Sequence, residues 1–128
     1  MRLVVNNIMI RNIIIALARF FWPKPKLDKP LEHRFKLLEF SDRASATSAA
    51  KQKGVAAVIC SRKAKKWLLF TCPCGCNQQI ALNLMQSHTP HWKLDIRTPT
   101  IFTVHPSIDS TTCGAHFWLR DGRVIWCE

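Results

Sequence analysis

The chain is short of acid: eight Asp and Glu stand against nineteen Lys and Arg in 128 residues. It also lacks a long uninterrupted apolar run. The longest apolar stretch, Leu3 to Trp22, contains Arg11, Arg19 and three Asn. That composition excludes a clean membrane span. No small-x-small cleavage site follows the stretch, which argues against a secretory signal. The motifs G-x-S-x-G, H-E-x-x-H and the P-loop are absent, and the enzyme classes they mark drop out. There is no internal repeat.

What is present is globular. Hydrophobic residues make up 48% of the chain and five are Trp, so one domain with a modest core is expected, of a size that a bound metal would help to stabilise. The net charge of +11 is placed unevenly. Residues 1–66 hold fifteen of the Lys and Arg and four of the acids, and the remainder is neutral. A basic half suits an acidic partner, whether nucleic acid, anionic lipid or an acidic protein face, or else it is a solvated lead-in.

Residues 1–32 read as an amphipathic N-terminal helix followed by a Pro/Lys linker, because Trp22-Pro23-Lys24-Pro25-Lys26 stops any helix. Packing on protein is the preferred fate of that helix, and membrane contact of residues 1–22 is left open. Residues 33–128 read as a strand-rich domain. His33 to Phe40 is a candidate first strand. Ser41 to Lys53 reads as a helix, with Ser41 or Ser45 as cap and Gly54 as the stop. Val55 to Cys60 and Trp67 to Thr71 then form a hairpin around a basic loop, Ser61 to Lys66. Short strands follow at Gln79–Leu84, His91–Ile96, Thr100–Val104, Ala115–Leu119 and Arg123–Cys127, the last two joined at an Asp121-Gly122 turn. The fold class expected is α+β: a small, mostly antiparallel β domain with one or two helices towards the N-terminus and a structural zinc site.

Six cysteines in a short chain mean disulfides outside the cell or a metal site in the reducing cytosol. Without a secretory signal, a cytoplasmic zinc protein is expected. Cys72-Pro73-Cys74-Gly75-Cys76 packs three thiols into five residues, a knuckle bent by Pro and opened by Gly. Further ligands must come from afar, and Cys113 and Cys127 are the candidates. Zn2+ prefers such a tetrahedral sulfur set. Five cysteines for about four positions leave one knuckle cysteine spare, and the pattern does not say which. Cys60, at the end of an apolar run, reads as a core thiol. The alternative to a metal is a cluster of buried or reactive thiols.

A second constellation lies beside Cys113. His105-Pro106-Ser107-Ile108-Asp109 offers a hydroxyl and a carboxylate, and His116 begins the next apolar strand. A Ser within hydrogen-bond reach of a His can attack a carbonyl, with an acid on the far nitrogen to fix the tautomer. His116 could instead be a fourth zinc ligand. Ser, His and Asp near a turn also commonly just satisfy backbone groups. His33, His88 and His91 read as loop or surface histidines.

Trp67-Leu68-Leu69-Phe70, the Cys72 to Cys76 knuckle, Pro106-Ser107-Ile108, Cys113 to Trp118 and the Gly122 to Cys127 ending together resemble one family. It is the BubE-like family of small zinc-binding proteins from bacterial ubiquitination-like operons. The likeness covers roughly residues 33–128. It implies a peptidase that trims or removes a ubiquitin-like protein, working beside E1-like and E2-like enzymes. By that resemblance Ser107 would be the nucleophile and His116 the base, with Asp109 as the third member. Cys72 or Cys74, with Cys76, Cys113 and Cys127, would be the structural zinc set. The family often carries a small residue where this chain has His105. The competing reading is a non-catalytic zinc adaptor whose basic half holds an acidic protein partner. A nucleic-acid module ranks last, because Trp67, Trp92, Trp118 and Trp126 sit in apolar strands.

Overall fold

In the computed structural model the described residues are 34–127. The expected N-terminal helix, the Pro/Lys linker, His33 and the boundary at residue 32 lie outside them. The described chain is mostly β, with one short helix and two four-stranded sheets. Strands β1 (Lys36–Phe40), β2 (Val55–Ser61), β3 (Ala64–Thr71) and β4 (Gln79–Asn83) form the first sheet in that order. Strands β5 (Lys93–Thr98), β6 (Ile101–Asp109), β7 (His116–Arg120) and β8 (Arg123–Trp126) form the second. All pairs are antiparallel except β1 with β2, which the crossover helix α1 (Arg43–Ala50) makes parallel. No helix among the described residues is long and apolar enough to cross a membrane.

The layering follows from residue pattern. The first sheet is covered on both faces, so β2 and β3 run almost continuously apolar (VAAVIC, WLLF). Their residues divide between two cores. Ala56, Val58, Leu68 and Phe70 face the second sheet and meet Phe102, Val104, Ile108, Phe117 and Leu119. Ala57, Ile59 and Leu69 face the opposite way, against Ala46 and Ala50 of α1. Small Ala side chains on both α1 and β2 permit that close approach. In β6 and β7 only alternate residues are buried. The intervening positions, among them Ser107, Asp109, His116 and Trp118, belong to the outer face of the second sheet.

Local chemistry departs from the sequence expectation in three places. The cap of α1 is Asp42, whose carboxylate accepts the Ser45 N–H at 2.8 Å; neither Ser41 nor Ser45 serves. The helix also ends earlier than Lys53, and the Ala50 carbonyl accepts the Thr71 hydroxyl at 2.6 Å. The β2–β3 connection is a two-residue turn rather than a basic loop. Arg62 and Lys63 both take positive φ (49° and 64°), so Lys65 and Lys66 belong to β3. Such a turn normally announces itself through Asn or Gly. Asp121-Gly122 does announce itself: it closes β7 and β8 with φ of 51° and 74°.

Strand β6 runs on to Asp109, past the expected end at Val104. Its pairing shifts between Val104↔Leu119 and Ile108↔Phe117, placing two more residues on β6 than on β7. Pro106 lies inside this bulge, where a residue without N–H is tolerated. The bulge positions Ser107.

Candidate functional site

Two neighbouring groups meet the requirements for chemistry. The first is a thiol cluster. Cys72 follows the last residue of β3, its N–H bonded to the Gln78 carbonyl (2.8 Å), and the knuckle turns back into β4 through Gly75 (φ 93°) and Asn77 (φ 62°). Cys113 sits on the β6–β7 connection. That loop is closed by Ser110 N–H to Ala115 O (2.7 Å) and Gly114 N–H to Ser110 O (2.8 Å). The sulfurs of Cys72, Cys74, Cys76 and Cys113 all lie within 4.8 Å of one another. The separations Cys72–Cys74, Cys74–Cys113 and Cys72–Cys113 are 3.3, 3.6 and 3.7 Å. Four sulfurs bound at 2.3 Å to a tetrahedral ion stand about 3.8 Å apart, so the donor set fits a metal ion.

Electrostatics separate the thiols. A side-chain hydrogen bond with Ser110, whose Oγ lies 3.3 Å from the sulfur, and then the Ala115 backbone, hold the Cys113 thiol down to about 6. Burial pushes the Cys72 thiol well above the ordinary range. The lowered Cys113 thiol is the one that ionises most readily near neutral pH, whereas Cys72 keeps its proton until a bound metal cation displaces it to solvent. Ser110 carried no sequence signal of its own beyond closeness to Cys113.

This grouping differs from the sequence expectation in one ligand. All three knuckle cysteines join Cys113, and Cys127 stands apart. The Cys127 N–H donates to the His116 carbonyl (2.9 Å), continuing the β7–β8 ladder. Cys60 is also outside the group; it is half-buried and donates to Glu39 Oε1 at 3.2 Å.

The second group is Ser107 with His116. Ser107 Oγ lies 2.9 Å from His116 Nε2, within hydrogen-bond distance. Asp109 is directly opposite His116 in the β6–β7 register. It makes no hydrogen bond to His116 among the described residues, although cross-strand neighbours share a face. His105 pairs instead with Asp95, at 3.8 Å on the exposed surface. With a proton on Nδ1, His116 Nε2 can accept the Ser107 hydroxyl proton, the first requirement of acyl transfer.

The two groups are joined by the chain itself. Ser107 and Asp109 lead into the Cys113 loop and His116 leads out of it, so whatever fixes Cys113 fixes the mouth of the Ser–His pair. Two supports escaped the sequence reading. Trp92 Nε1–H donates to the Ser107 carbonyl (3.3 Å), while the Trp92 N–H donates to Asn83 O (2.8 Å). Buried Asn83 in turn binds the carbonyls of Met85, His88 and Pro90 and the N–H of Met85. An Asn ending an apolar strand before a Pro-containing loop was the available signal.

A family model described as "Bacterial ubiquitination-like system serine protease (BubE)" matches residues 42–127. The match spans the knuckle, Ser107, Cys113 and His116. No curated protein and no solved structure matches the chain.

Proposed function

The chain belongs to the BubE family, the serine proteases of bacterial ubiquitination-like systems, and from that premise we propose that Ser107 is its nucleophile and His116 its general base. The observation that carries this reading is the 2.9 Å Ser107–His116 contact, brought about by the Pro106 bulge. His116 takes the hydroxyl proton as Ser107 Oγ attacks the scissile carbonyl. The resulting imidazolium then gives that proton to the leaving amine, and an acyl-enzyme remains. Water attacks the acyl group with His116 again as base, which frees the carboxyl product and restores the pair. Asp109, across the strand pair, contributes negative charge near the imidazolium rather than a hydrogen-bonded clamp.

The thiol cluster is read as a structural zinc site. Four sulfurs with no His among them close the coordination sphere, and a closed sphere leaves no position for a reactive water. Zinc there would cross-link the β3–β4 turn of one sheet to the β6–β7 loop of the other. The substrate class is a ubiquitin-like protein, trimmed to maturity or released from targets, with the E1-like and E2-like enzymes of the same system as partners. Incubating the zinc-loaded protein with that ubiquitin-like protein is expected to give one defined C-terminal trim by intact mass spectrometry. An unchanged mass would count against the proteolytic reading.

A further inference from the structure

Between the β2–β3 hairpin and the β4–β5 connection lies a cavity of about 690 Å3, lined by Lys63, Lys65, Lys66 and Lys93 together with His88 and Trp92. Among the described residues no Asp or Glu lines it. The surfaces that meet there come from both sheets and are held in place: Leu84 N–H donates to the Lys66 carbonyl (2.9 Å), and Asn83 secures the loop through its four side-chain bonds. The cavity is connected to the backbone of the candidate nucleophile through one residue. Trp92 forms part of its wall and donates its indole N–H to the Ser107 carbonyl, so an occupant lies one side chain away from Ser107.

We propose that this cavity docks an acidic segment of the protein substrate; the proposal rests on the proteolytic reading above and adds the substrate's charge. Four lysines around a concave surface without carboxylates attract negative charge and desolvate it partly, which favours carboxylate-rich sequence and speeds encounter. A nucleic acid would be served by a groove with several stacking faces. Here, among the described residues, Trp92 is the one tryptophan in the lining, with His88 the other ring, while Trp67 and Trp118 are covered by Arg43 and Arg120 at 5.3 and 4.5 Å.

The test uses fluorescein-labelled hexaglutamate and hexaglutamine peptides, read by anisotropy on the zinc-loaded chain. Hexaglutamate is expected to bind in a salt-sensitive way and hexaglutamine not to bind. The triple variant Lys63→Gln, Lys65→Gln, Lys66→Gln should weaken hexaglutamate about tenfold, at a modest contribution per exposed pair. Lys93→Gln alone should weaken it less, and it keeps the test valid if the triple variant is unstable. The charge-matched variant Lys36→Gln, Lys51→Gln, Lys53→Gln removes lysines outside the cavity and should bind almost as the native chain does.

Equal loss in both triple variants would overturn the proposal in favour of diffuse charge. Tighter binding of a DNA oligonucleotide, lost in the cavity variants, would overturn it in favour of nucleic acid. Cleavage of the ubiquitin-like protein keeps the two ideas separable. A raised KM in the cavity variants with little change in kcat supports both. Native cleavage with KM unmoved overturns docking alone, whereas hexaglutamate binding without any cleavage keeps the acidic site and removes the protease.

Discussion

Replacing Ser107 by Ala is expected to abolish turnover, lowering kcat by a factor on the order of 10^4 or more, as removal of a nucleophile does. The folded structure should survive. Ser107 is only partly buried, and the bulge that presents it depends on Pro106 and on Trp92 holding its backbone carbonyl. His116→Ala should cost about as much, because nucleophile and base act as a unit and their losses do not add. Asp109→Asn separates two pictures of the site. An acid hydrogen-bonded to the His ring is worth roughly 10^4 in rate. A carboxylate that acts across a strand pair, without that bond, should cost far less, on the order of tenfold. Initial rates on the ubiquitin-like substrate for the three variants give the comparison. Unchanged turnover in Ser107→Ala would remove it from the mechanism.

Removing the proposed zinc is expected to have the second large effect. Zinc bound to four thiolates contributes on the order of 10 kcal/mol at neutral pH, which is comparable to the whole stability of a small domain. A strong chelator is therefore expected to collapse the thermal transition, not merely to slow turnover, and Cys113→Ser should do the same. Cys72 is part of the main core cluster, so loosening the knuckle also disturbs packing between the sheets. Scanning calorimetry with metal analysis checks this. Loss of an ion that only activated water would stop catalysis while the melting temperature held. A fold and an activity both indifferent to chelation would show that the thiol cluster does not brace the site.

Much of this architecture can be read along the chain, because its strongest signals are local. The continuous apolar runs of β2 and β3 mark a sheet covered on both faces, and Asp121-Gly122 marks the β7–β8 hairpin of the second sheet. The cysteine knuckle is likewise visible. What cannot be read depends on contacts between distant segments. Arg62-Lys63 takes a left-handed turn against its residue types because the flanking strands demand the register. Pro106 looks like a strand terminus, yet it sits within β6 as a bulge, and the Ser107–His116 geometry depends on that bulge. The choice among the cysteines is equally non-local: Cys127 is drawn into the ladder opposite His116, while the Cys113 loop folds over the knuckle. The basic cavity joins Lys63 to Lys93 across thirty residues of sequence through a loop that buried Asn83 organises.

The central claim is that Ser107 is activated by His116 on a metal-braced loop. The most direct measurement is labelling of the zinc-loaded protein with a fluorophosphonate, followed by peptide mapping. The account predicts a single phosphonyl adduct on Ser107, lost in His116→Ala and after chelation. No adduct on the zinc-loaded chain, or one formed equally well without His116, would contradict it.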